Sequence, residues 1–167
     1  ELQAWDVPER NGHTVTRVTH ADSAETMTKR LQEAERFGAP GIYAMANRIH
    51  EAVATRVAAG RWHDAKKGKS TTDRDITHRR VLFIDVDYDR PTDTAATNAQ
   101  VEEAHAVAAG VYDHLARLLP SGADSIAFGH SGNGRSLFLA LDCLPESAEL
   151  AALVKGVLAA LKERHET

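Results

Sequence analysis

A chain of 167 residues, 43% of them hydrophobic, has enough apolar material for one domain with a real core and too little length for two comfortable ones. Its formal net charge of -4 excludes a surface built throughout for a polyanion, so any basic surface must be local. A single cysteine, Cys143, excludes an internal disulfide framework, and no stretch reaches the length of a membrane span. The amino end also lacks the basic and apolar regions of a signal peptide, so the expected location is the cytoplasm.

In chain order, Leu2 to Trp5 and Thr14 to Thr19 alternate side-chain types on either side of a Pro8 to Gly12 segment whose Asn-Gly pair favours a turn, which predicts a hairpin. Ala24 to Phe37 carries Met27, Leu31 and Ala34 at helical spacing behind the N-cap candidates Asp22 and Ser23, and Gly38 to Gly41 ends it. Ile42 to Ala46 reads as a short buried strand. From Asn47 the spacing of Ile49, Val53 and Val57 predicts a helix lasting until Gly60. Arg61 to Arg80 then holds about four surplus positive charges, the one basic concentration in the chain.

Val81 to Asp87 gives the strongest strand signal, with apolar residues at alternating and intervening positions, as expected of a central strand covered on two sides. An Ala-rich helix follows from Thr94 or Thr97 to about Leu119. Ser125 to His130 and Arg135 to Leu141 read as paired strands around Ser131-Gly132-Asn133-Gly134, and Glu146 to Arg164 reads as a closing helix. Helices alternating with strands and a late hairpin predict a single mixed α/β domain of two or three layers.

Two groups of residues carry chemistry. Asp85 and Asp87 alternate along their strand, so both project from one face with Cα atoms about 7 Å apart. Two carboxylates this close repel unless a cation lies between them, and such a pair can bind Mg²⁺ or Mn²⁺ that also holds substrate phosphates. Carboxylates at a strand end also cap turns, the reading preferred for Asp89. The second group is Ser131, Gly132, Asn133, Gly134, Arg135 and Ser136, where glycines let backbone approach a ligand and expose N–H groups to an anion. Its plainer reading is a hairpin turn with positive φ at Asn133 and Gly134.

Val81-Leu82-Phe83-Ile84-Asp85-Val86-Asp87, followed by Ser131-Gly132-Asn133-Gly134, resembles the first two motifs of the archaeo-eukaryotic primase-polymerase superfamily. Glu1-Leu2, Pro40 to Tyr43 with Asn47, Thr71 to Ile76 with Arg79-Arg80, and Asp142 with Leu144-Pro145 resemble the subfamily encoded by phages, plasmids and integrated elements. The resemblance implies an α+β domain with an RNA-recognition-like mixed or antiparallel sheet flanked by helices. It implies that Asp85 and Asp87 hold Mg²⁺ or Mn²⁺ and that the glycine turn, Ser131 to Ser136, meets a nucleoside triphosphate. Lys66, Lys67, Lys69, Arg79 and Arg80 would then meet a single-stranded or primed DNA template. A helicase domain following in a longer chain is the implied partner.

The sequence departs from that family twice. Ser136 stands where the family carries a histidine that contacts phosphates, and serine is shorter and cannot become cationic. The family's third metal-binding aspartate has no counterpart before Thr167, which with the missing initial methionine suggests a piece of something longer. These departures keep a second reading open, a non-catalytic nucleotide- or DNA-binding module. Asp85 to Asp89 also superficially suits a phosphatase of the haloacid dehalogenase type, and another nucleotidyltransferase fold also remains open.

Overall fold

The computed structural model describes residues 1–57, 60–65, 70–88, 90–91 and 94–165. It is a mixed α/β structure with antiparallel sheets, and it divides into two compact units, Glu1–His78 and Arg79–Thr167. Among the described residues no helix is long and apolar enough to cross a membrane.

In the first unit, β1 (Leu2–Pro8) and β2 (Thr14–Thr19) form the expected hairpin, with Gly12 at φ +80 in its turn. A bulge between Ala4 and Val7, where Asp6 adopts φ 50, changes the side-chain parity of β1. Ala4 and Val7 therefore both reach the core despite being three residues apart. They pack with Ala34 of α1 (Ala24–Arg36), whose first turn is capped by Ser23 Oγ accepting from Thr26 N at 3.1 Å. β3 (Gly41–Ala44) pairs with the other edge of β1.

The helix expected from Asn47 to Gly60 is corrected. Arg48–Ile49 is a short strand, β4, and helix α2 covers only Glu51–Ala54. Pairing of β4 with Ile76 and His78 overrides the helical spacing, and His50 Nδ1 starts the helix by accepting from Ala52 N at 3.1 Å. β5 (His63–Asp64) then pairs with β2.

A 3-10 turn at Asp73–Asp75 leads into β6 (Ile76–Val86), which begins five residues earlier than the apolar run alone implies. Asp75 is buried, accepting from Arg56 Nη1 at 2.9 Å and from Thr72 N at 2.8 Å. Hydrogen bonds from Arg56 and then from Thr72 hold its carboxyl well below the usual carboxylate range. A depressed folded pKa stabilises the fold above the unfolded value near 4, and that contribution fades as pH falls through the folded value. The melting midpoint is therefore expected to decline below about pH 4, and Asp75→Asn should lower it at pH 7 and by a smaller amount at pH 3. Equal losses at both pH values, measured by thermal denaturation, would refute this.

In the second unit, β6 neighbours β8 (Arg135–Pro145), which pairs antiparallel with β7 (Ile126–His130). Helix α3 (Asn98–Leu118) starts on the Thr97–Gln100 capping box, and α4 is Ala148–His165. Leu82 and Ile84 of β6 and Leu137 and Leu139 of β8 meet Val111 and Leu115 of α3 and Leu161 of α4 in one core. The opposite sheet face is open, with Phe83 48% and Phe138 37% exposed. The expectation of a strand covered on both sides is thus corrected: β6 has a helix-packed face and an open face. The open one carries Phe83 and Asp85.

Candidate active site on the open sheet face

Period-two alternation places Asp85 on the open face, because its neighbours Ile84 and Val86 fall on the opposite parity. Asp87 lies one residue past the end of β6, and both acids are exposed. Asp85 Oδ1 accepts from Ser136 Oγ at 3.0 Å. Asp87 Oδ1 accepts from Tyr88 N at 2.9 Å and forms an ion pair with Arg90, whose Nε donates to Thr94 O at 3.0 Å. The segment after the strand is tied to α3 as well, through a Tyr88 hydrogen bond to Glu103 that raises the tyrosine pKa.

The glycine turn sits directly beside these acids. A Cβ added to Gly134 would lie 2.4 Å from Val86 O and 3.2 Å from Asp87 Oδ1, so only glycine lets the hairpin approach the end of β6 this closely. Positive φ occurs at Gly132, at +91, and not at Asn133 or Gly134, which corrects the expected turn geometry. Asn133 instead holds the segment before α3, its Oδ1 accepting from Ala96 N at 3.0 Å.

The expected cradle of free N–H groups is also corrected. Gly132 N donates to His130 Nδ1 at 2.7 Å, Gly134 N donates to Ser131 Oγ at 3.0 Å, and Ser131 N donates to Gly134 O at 3.4 Å. A short turn satisfies its own donors first, because an anion is not always there to do so.

Ser136 is buried at 5% exposure, so its hydroxyl orients Asp85 rather than facing an open surface. Arg135 has the opposite parity, and its Nε donates to His105 of α3 at 3.2 Å, which takes its charge away from the face bearing Asp85. No family model, no curated protein and no solved structure matches the chain.

Among the described residues no group of three or more His, Cys, Asp or Glu side chains is arranged to hold a metal ion. Exposed carboxylates such as Asp85 and Asp87 are the donor chemistry that would hold a Mg²⁺ or Mn²⁺ ion of the kind that keeps several waters and arrives with substrate phosphates. Arg90 already occupies the cationic place beside Asp87.

Of the basic residues expected at nucleic acid, Lys66, Lys67 and Lys69 lie outside the described residues, as does Asp89. Arg79 is ion-paired with Glu146, Nε to Oε2 at 2.5 Å, and Arg80 is exposed. Phe83, Phe138 and Arg90 are the site residues that sequence reasoning passed over. For the two phenylalanines the signal was the same alternation: Phe83 precedes Asp85, and Phe138 follows Ser136, each by two residues.

Proposed function

We propose that this chain is a primase-polymerase-like domain of DNA replication that binds a nucleoside triphosphate, and beside it a DNA template, through a divalent cation at Asp85 and Asp87. The observation that carries the reading is the seating of Gly134 against Val86 and Asp87, which joins the acid pair and the Ser131 to Ser136 turn into one surface. A bound Mg²⁺ or Mn²⁺ would supply charge neutralisation for the phosphates. The chain's own part is to hold the two carboxylates side by side, with Ser136 fixing the rotamer of Asp85. Lys66, Lys67, Lys69, Arg79 and Arg80 remain the proposed template contacts.

The buried Ser136 favours a second reading, a nucleotide-binding module without catalysis, since the position offers Asp85 a hydroxyl and offers a phosphate no imidazole. Calorimetric titration of nucleoside triphosphate with and without Mn²⁺ tests binding. Extension of a primed DNA template in Mn²⁺ then separates the readings: extension assigns catalysis, and binding without extension assigns the second.

Arg90 makes a further expectation. Because its guanidinium neutralises Asp87, Arg90→Gln should tighten Mn²⁺ binding several-fold in the absence of nucleotide. Mn²⁺ titration followed by electron paramagnetic resonance measures it, and an unchanged affinity would show that the arginine does not compete with the ion.

A further inference from the structure

The open face of the second unit leaves two aromatic rings in water beside the acid pair. Phe83 of β6 and Phe138 of β8 lie with ring centroids 5.2 Å apart, at 48% and 37% exposure. The surroundings are kept small. Ala127, Gly129 and Ala140 share the open face, and a Cβ added to Gly129 would meet Phe138 Cε2 at 2.8 Å, so the missing side chain lets this ring reach over β7. Single exposed apolar residues need no explanation. A contacting aromatic pair on a bare sheet face, two residues from a carboxylate held by Ser136 and with its rings tilted 53° to one another, lets one ring stack on a planar ligand while the other meets the ligand's edge.

The charges beside the platform select the occupant. An apolar peptide spread over the rings and the neighbouring sheet would desolvate Asp85, whose hydrogen bond comes from the neutral Ser136 hydroxyl, without a counter-charge, which is strongly unfavourable. A bare nucleic-acid strand would bring phosphates against the same acids. A nucleotide carrying its own divalent cation satisfies both halves, with its base on the rings and its cation-bound phosphates at the acids. The step from Phe83 to Asp85 is one strand repeat, about 6.6 Å, which a ribose bridges.

We infer that Phe83 and Phe138 form the base-binding platform of this site, stacking the nucleobase of a metal-bound nucleoside triphosphate. This rests on the metal and triphosphate reading proposed above, and it adds a contact that inorganic phosphate does not make. Stacking tolerates any base, so the platform sets affinity and not base identity.

The test compares two ligands by calorimetry in Mn²⁺, ATP and inorganic tripolyphosphate, on the wild-type chain and on Phe83→Leu, Phe138→Leu and Phe138→Tyr. Wild type should bind ATP about tenfold more tightly than tripolyphosphate. Both leucine variants should lose most of that difference with tripolyphosphate binding unchanged, and Phe138→Tyr should retain it because the ring survives. Equal affinities of wild type for the two ligands would overturn the platform while leaving the metal and phosphate site standing. Binding of neither ligand would overturn both. Melting curves identify any leucine variant that fails to fold, and the wild-type comparison and the tyrosine variant decide the question without it.

Discussion

Asp85→Asn is expected to lower Mn²⁺-dependent affinity for a nucleoside triphosphate by about 100-fold and to remove any template extension. Asparagine keeps the shape and still accepts from Ser136 Oγ, so the strand and its neighbour should be undisturbed while the charge that draws the cation is gone. Asp87→Asn should weaken binding less in the free protein, because Arg90 already neutralises that carboxylate. Calorimetry with and without Mn²⁺ measures both, with circular dichroism to show that the fold survives. Triphosphate binding that persists unchanged in Asp85→Asn, or that never depended on the metal, would remove the basis for the primase-polymerase reading.

Gly134→Val is expected to cost about 3 kcal/mol of stability, the upper end for overpacking, because the first carbon added meets a main-chain carbonyl and not a flexible side-chain end. The hairpin must then move off the end of β6, and Asp87 is the residue beside the gap. Loss of stability should therefore come with weaker Mn²⁺ binding. By contrast, Gly132→Ala strains only its own backbone at φ +91, with open space around the new methyl group. Denaturant titration of both variants provides the check. If valine at position 134 leaves the midpoint where it was, the turn is not seated against β6.

Residues 81–87, 98–118 and 148–164 show what local pattern can decide. Their apolar spacing is dense enough that the strand and both helices were legible, while the choice between Thr94 and Thr97 as the cap of α3 fell to the Thr97–Gln100 capping box. Position 49 shows the opposite case. Its helical spacing is genuine, but two ladder positions with β6 hold Arg48–Ile49 as a strand, and that partner lies more than twenty-five residues away.

The candidate site divides in the same way. The sequence by itself marked Asp85 for one face of its strand, because alternation is a property of one strand, and Asp87 beyond the strand's end falls outside that rule; it also placed a glycine-containing turn between β7 and β8. Only the tertiary structure decided which face is bare and which strand lies next to β6, since both depend on where α3 and α4 pack. That packing gave Ser136 to Asp85, turned Arg135 toward His105 and left Phe83 and Phe138 in water. The turn's own hydrogen bonds likewise closed N–H groups that the residue types alone left open. Side-chain chemistry is written locally, but its partners are chosen by contacts between segments dozens of residues apart.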